Sequence, residues 1–388
     1  MDRISGAQPL APRPLRVALV TPEYPDCGPS FGIGRYLHDL ASGLRRTGHT
    51  VLVIAATDTG CWRVLDGGRP ERFAVTSRHL LLRPILNRHS IESPLREFKA
   101  DVIECSNWGA LSAWLNATCP IVMRLSSSAG DPSFGTRGIR PWARLYQERR
   151  AVRLAHRIIA DSHAMAMASI KIYGRQSHAV QWHSYCGLVS PLRDEANSNA
   201  QFLYVGRLEH RKGIDILLAA WPRVRASCPH ARLNIVGTDL GGYSQAAVEM
   251  PGVQVHGRLN DLDLQTLRSK SAVQVIPSRF ESFGLVALEA WAAGLAVVCT
   301  NAGGLTEVVA EAGIVVPMQN PHALAIGMLQ ALPNQVQLAR LGQARLLANF
   351  DAGTWIAGTI NQYRLAIGKY LASDTDRQAD VTETPLLK

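Results

Sequence analysis

The run AVQVIPSRFESFGLVALEAWAAGLAVVCTNAGGLTEVVAEAGIVV, Ala272 to Val316, decides how this chain is read. Ala272 to Ile276 is a short apolar strand that stops at Pro277. A polar loop follows, then a helix over about Gly284 to Ala293, closed by Gly294 at a position that suits a helix stop. Leu295 to Cys299 is rich in β-branched residues, Thr300 to Gly304 is a loop of small residues, and Leu305 to Ala310 is helix again. Strand, helix, strand, helix within so short a span means two parallel βα units.

Glu289 is the odd residue in that pattern. It is the one charge in a helix otherwise made of Gly, Leu, Val, Ala and Trp, and a helix apolar nearly all round is normally buried. An ionised carboxylate there needs a partner, or else occupies the helix's single solvated stripe. Glu281 stands eight positions earlier, in the loop that feeds the helix. At about 1.5 Å of rise per residue, Glu289 sits roughly 7–8 Å down the axis from the helix's free amides. Amides at a helix start favour phosphate, and carboxylates accept hydrogen bonds from hydroxyls. Such a series can grip a sugar, a phosphate and a ribose.

With Glu281 and Glu289 separated by seven residues, FESFGLVALEA resembles the E-x7-E signature of retaining glycosyltransferase family 4. The later AGGLTEVV is similar to that family's next loop and helix. The resemblance implies that Glu281 meets the donor sugar and Glu289 the ribose hydroxyls, with Phe283, Gly284 and Leu285 offering amides to sugar and phosphate. It also implies a GT-B fold, an α/β architecture of two Rossmann-like lobes facing each other across a cleft.

Outward from this stretch, 388 residues suffice for two domains of ordinary size. Hydrophobic content of 47% with 19% charged residues excludes a disordered chain, and no apolar run is long enough to span a bilayer. No signal-peptide core precedes the first strand, and seven scattered cysteines show no metal-like spacing, so the reading is cytoplasmic. The net charge of +10 is lopsided: residues 1–195 carry 25 Lys and Arg against 16 Asp and Glu, the rest 16 against 15. A basic first half either attracts phosphates and an anionic inner-membrane face, or is an Arg-rich solvated surface. Nucleic acid is not expected as a partner.

Residues 1–14 read as a flexible leader and 15–194 as an acceptor-side lobe. Leu15 to Thr21 is a buried-type strand that opens into a Gly/Pro-rich loop, Pro22 to Gly34, before a helix from Arg35 to Thr47 and a strand at Val51 to Ala55. Leu37 stands where a dinucleotide fingerprint needs its third glycine, which argues against nicotinamide or flavin. The family resemblance instead places Gly32 and Gly34 beside donor phosphates. Residues 60–100 are basic and irregular. Strands follow at Ala100 to Cys105 and Pro120 to Leu125, with Trp108, Arg124 and Ser126 as acceptor-side candidates. Many family members carry a histidine after this second strand; here Ser126 occupies the spot, and no histidine occurs between His89 and His156. Ser126 can bond a hydroxyl but cannot carry a proton near neutral pH. Arg137 to Arg157 is a basic amphipathic helix, helical from Pro141, suited either to an anionic membrane or to its own sheet with a solvated charged face.

Asp194 to Ala200 has linker chemistry, and 195–352 reads as the nucleotide-sugar lobe. After the strand Gln201 to Val205, the loop GRLEHRKG brings Arg207 and Lys212, one of six lysines in the chain, to one point. Two converging cations suit a departing diphosphate, and the loop is similar to the family's diphosphate site. The resemblance puts Arg258 and Leu259 near the base. Residues 321–348 read as helical, 353–372 as a closing helix returning to the first lobe, and 373–388 as a disordered tail. The expectation is a metal-independent, cofactor-free retaining transfer of a glucose- or mannose-type hexose to a saccharide or lipid-linked acceptor, in cell-surface polysaccharide or glycoconjugate synthesis. The alternatives are a sugar-nucleotide epimerase, a phosphorylase, or a non-catalytic nucleotide-sugar-binding module.

Overall fold

The computed structural model describes residues 13–382 except 26, 29–30, 75–81, 132–138 and 193–199, so most of the leader and the linker lie outside the described residues. The chain forms two α/β lobes, each around its own sheet. The first sheet contains β1 (Arg16–Thr21), β2 (Thr50–Ala56), β3 (Cys61–Leu65), β4 (Glu71–Ala74), β5 (Val102–Ser106), β6 (Ile121–Leu125), β7 (Arg157–Ala160) and β8 (Ala179–Val180). Its order is β4-β3-β2-β1-β5-β6-β7-β8, parallel from β2 to β8, with β3 and β4 added antiparallel at one edge. The second contains β9 (Gln201–Val205), β10 (Arg232–Val236), β11 (Val253–Gly257), β12 (Val273–Ile276), β13 (Ala296–Thr300) and β14 (Ile314–Val316). It is parallel throughout, in the order β11-β10-β9-β12-β13-β14. Near-continuous apolar strands such as Ala296–Thr300, buried at every position, are what a sheet covered on both faces requires.

Ala272 to Val316 folds as β12, the helix Leu285–Ala292, β13, the helix Leu305–Val309 and β14. Three features differ from the sequence reading. The stretch taken as irregular contains the β3–β4 hairpin, turned at Asp66-Gly67, where both residues have positive φ (46° and 79°). An Asp-Gly pair is a strong hairpin signal for that reason. The long helix expected over 321–348 is two, Pro321–Ala331 and Gln335–Asn349, parted at Pro333, whose missing amide hydrogen cannot continue a helix. The final helix runs from Ala352 to Thr382, so the expected tail from 373 is helical for ten further residues. No Gly or Pro interrupts the chain between Gly368 and Pro385.

That last helix packs on the first lobe. Trp355, Ile356, Ile360, Tyr363 and Ala366 share a buried cluster with Leu37, Leu40 and Leu44 of the helix Gly32–Arg46. Beneath them the fully buried Glu104 of β5 accepts hydrogen bonds from the Tyr36 and Tyr363 hydroxyls, the latter at 2.7 Å, and pairs with Arg124 at 3.4 Å. One carboxylate thereby ties the first helix, the returning helix and β6 together. A second tie crosses between lobes. Glu307, in the helix Leu305–Val309, accepts from the His163 and Ala164 amides (2.9 and 2.7 Å) at the start of the first-lobe helix His163–Tyr173. A carboxylate is favoured at that positive helix end.

Candidate active site

The C-terminal ends of the parallel strands of both sheets meet at a cavity of about 400 Å³, the position where open α/β sheets bind ligands. Its walls include Gly32, Trp108, Arg124 and Ser126 from the first lobe and Arg207, Lys212, Glu281, Phe283, Gly284, Leu285 and Glu289 from the second. The structure thus brings together most of the residues singled out in the sequence. Three it does not. Arg258 is exposed after the edge strand β11, Leu259 packs into the second-lobe core, and Gly34 offers its amide to the Glu23 carboxylate at 2.8 Å. Glu23 was not foreseen. It also accepts from the Phe31 amide at 3.2 Å, and so caps the very helix start that resemblance assigned to donor phosphates. Burial raises the Glu23 carboxyl above its ordinary value, against those amide bonds and Arg207, which lower it.

On the second lobe the loop after β9 and the loop after β12 converge. Lys212 Nζ lies 2.5 Å from Glu281 Oε1, which also accepts from the Ser278 hydroxyl at 2.8 Å. Arg207 and Arg211 both reach Glu209, at 3.0 and 3.2 Å. On these two loops three cations thus face two carboxylates, with Glu23 of the first lobe acting on Arg207 as a third. Burial alone would raise the Glu281 carboxyl, but Lys212 and Arg211 outweigh it and hold it below its ordinary value. Burial pulls the Lys212 ammonium below the usual lysine range; Glu281 opposes this and Arg211 adds to it. The site therefore holds an ionised carboxylate beside a cation that is poorly solvated and ready for another anion.

Glycines set the approach of these loops. A Cβ on Gly303 (φ 53°) would lie 2.4 Å from the Glu281 carbonyl oxygen, and one on Gly284 (φ 114°) would lie 2.6 Å from the Leu305 side chain. The small-residue loop after β13 can therefore press directly on the loop carrying Glu281, where the Gly304 amide donates to the Glu281 carbonyl at 2.9 Å. The helix Leu285–Ala292 starts at Gly284 with no side-chain cap, leaving its first amides for a ligand. Phe283 is buried at the cavity wall. Glu289 has the partner its surroundings demand: Arg268, from the helix Asp261–Lys270, reaches Oε2 at 2.5 Å.

On the first lobe, Ser126 shares hydrogen bonds with the Ser106 hydroxyl (3.1 Å) and Asn107 Oδ1 (3.3 Å). Arg124 is committed to Glu104 and Gln181, and its guanidinium lies 5.3 Å from the Tyr36 ring, which makes it a support for the wall. Trp108 lines this cavity and a neighbouring one of about 230 Å³, where Arg144 stands over its ring at 5.5 Å. Asp261-Leu262-Asp263 spells D-x-D, but both aspartates are exposed at a helix start, and neither lines the cavity.

Known proteins resemble the chain over both lobes. Residues 32–183 match the Glycosyltransferase Family 4 model and residues 199–334 the model of Glycosyl transferases group 1. Each lobe thus matches a glycosyltransferase model, and the fold is GT-B. Glycogen synthase of Mycobacterium tuberculosis is 26% identical over 401 residues, covering 91% of this chain and 95% of that protein. Sucrose-phosphate synthase of Thermosynechococcus elongatus superposes with a TM-score of 0.75 at 21% identity, over 92% of this chain and all of that one. Anabaena HepE in complex with UDP-glucose gives 0.67 at 20%, over 89% and 99%. The two-lobe GT-B architecture read from Ala272 to Val316 is thereby borne out.

Proposed function

We propose that this glycosyltransferase moves a hexosyl group from a nucleotide diphosphate sugar to a saccharide or lipid-linked hydroxyl with retention of configuration. One observation carries the reading: a single cavity joins Arg207, Lys212, Glu281 and Glu289 to the first-lobe wall. The diphosphate lies against Arg207, Lys212 and the amides at Gly284 and Leu285, the hexose against Glu281, and the ribose against Glu289. The bond from the anomeric carbon to the β-phosphate oxygen breaks as the acceptor oxygen bonds the same face, and the acceptor proton passes to that phosphate oxygen. Arg207 and Lys212 neutralise the leaving group, the part a divalent ion plays elsewhere, so the reaction proceeds without metal. A UDP-glucose complex of the structural neighbour HepE, and a glycogen synthase among the relatives, support a nucleotide-sugar donor and a saccharide acceptor.

The acceptor side faces a membrane in this reading. On the helix Ile139–Leu154, Trp142 and Tyr146 stack at 6.1 Å, are 67% and 52% exposed, and share a face with Arg149 and Arg153. Among the described residues no helix is long and apolar enough to cross a bilayer, so attachment would be peripheral. Co-sedimentation with anionic but not zwitterionic vesicles, lost in Trp142→Ala/Tyr146→Ala, is the expected result; equal recovery with both vesicle types would remove the membrane from the account.

The donor reading is tested with a panel of nucleotide sugars scored by thermal shift and by slow donor hydrolysis. One or a few donors should raise the melting temperature and release hexose. A panel that produces neither effect defeats the proposal.

A further inference from the structure

Among the described residues, the buried polar atoms without a partner that belong to side chains lining the main cavity are Asp161 Oδ1 and His183 Nδ1. Asp161 directly follows β7 at the C-terminal end of the sheet, and His183 lies in the coil after the adjacent β8. They face each other, with His183 Nε2 3.5 Å from Asp161 Oδ2, and are 7% and 1% exposed. A folded chain rarely leaves two neighbouring buried polar atoms unpaired unless something else completes them.

The surroundings say what that is. The imidazole packs against Tyr36 (4.5 Å) and Trp355 (6.3 Å) of the first-lobe cluster, and edge-on against Phe283 (5.0 Å) of the second. Phe283 belongs to the loop from Glu281 to Leu285, so the pair stands where the first lobe meets the sugar-handling loop. Ser126, the residue in the place of the histidine found in many family members, lines the same cavity. We propose that His183, held by Asp161, supplies from the far end of the first lobe the imidazole that Ser126 does not, and that the pair reads one hydroxyl of the donor hexose. This rests on the nucleotide-sugar reading above. Burial lowers the His183 pKa, against the opposing pull of Asp161, which keeps the ring neutral at pH 7. With the Nε2 proton turned to Asp161, Nδ1 presents a lone pair to a sugar hydroxyl, and Asp161 Oδ1 is a second acceptor at the same cavity wall. Acceptors at this wall select a hydroxyl-bearing ring over a bare phosphate.

The test is a double-mutant cycle by calorimetry. A nucleoside diphosphate, the matching nucleotide hexose and its singly deoxygenated analogues are titrated into wild type, His183→Ala and Asp161→Asn. The nucleoside diphosphate should bind all three proteins equally. The intact donor should lose about tenfold in affinity on His183→Ala, the worth of one buried hydrogen bond. One deoxy donor should lose about tenfold on wild type and nothing further on His183→Ala, a position-specific coupling that a merely structural histidine would not produce. His183→Gln, whose amide keeps an acceptor, should restore part of the loss and serves if the alanine variant does not fold. Deoxy donors that lose equally on wild type and variants overturn the proposal while leaving the donor site standing. A wild type that binds nucleoside diphosphate and nucleotide hexose not at all overturns both.

Discussion

Lys212→Ala separates a diphosphate clamp from a structural ion pair. In the free protein the ammonium sits 2.5 Å from Glu281, and Arg211 and Arg207 add positive charge around it. A bound diphosphate competes with Glu281 for this cation, so the ground state gains modestly. Bond breaking then places a further charge on the β-phosphate oxygen. A unit charge at about 4 Å is worth about 4 kcal/mol at an effective dielectric constant of about 20, and removing one preorganised donor costs about 3–4 kcal/mol. Turnover should therefore fall roughly 100- to 1000-fold, while donor affinity falls by no more than about tenfold. The assay is single-turnover transfer or donor hydrolysis at saturating donor, with affinity measured separately by calorimetry. Removing the cation also leaves the Glu281 carboxylate with Arg211 and Ser278, so the melting temperature is recorded in parallel, and Lys212→Arg should recover part of the rate. Small and equal changes in turnover and affinity would refute the reasoning, because they would make Lys212 a partner of Glu281 and nothing more.

Four other outcomes are expected. Arg268→Ala should weaken donor binding about tenfold by freeing Glu289 from its orientation, with a smaller effect on bare hexose phosphate. Gly303→Ala should abolish hydrolysis with the fold retained, since its Cβ would meet the Glu281 carbonyl oxygen at 2.4 Å; circular dichroism and the hydrolysis assay check both halves. Glu307→Gln should weaken the two helix-capping bonds across the cleft and cost about 1 kcal/mol of stability, with a larger radius of gyration by solution scattering. Turnover should fall with rising pH below the 10.5 of a free lysine, because burial lowers the Lys212 pKa and the protonated form is the active one; Lys212→Arg should remove that limb from the rate profile.

The fold was legible because Ala272 to Val316 pairs two local signals, apolar strands and glycine-stopped helices, that agree with each other. Glu289 was legible as a residue needing a partner, but the partner was not. Arg268 lies 21 residues earlier on a separate helix, with β12 between them, so only the packing of two helices beside one strand brings them together. The Glu23 cap was hidden for a similar reason: its carboxylate turns back over the loop to amides eight and eleven residues on. His183 carries no motif and follows a two-residue strand; its meeting with Asp161 depends on how a coil crosses the sheet end, which no periodicity records. The β3–β4 hairpin is the opposite case, since Asp66-Gly67 states the turn in the sequence itself but was masked by the surrounding arginines.

The most direct measurement is a crystal structure with a non-hydrolysable nucleotide hexose bound. The account predicts diphosphate oxygens within hydrogen-bond distance of Arg207 and Lys212, hexose hydroxyls at Glu281 and ribose hydroxyls at Glu289. A donor seated elsewhere, or one whose diphosphate touches neither cation, would contradict it.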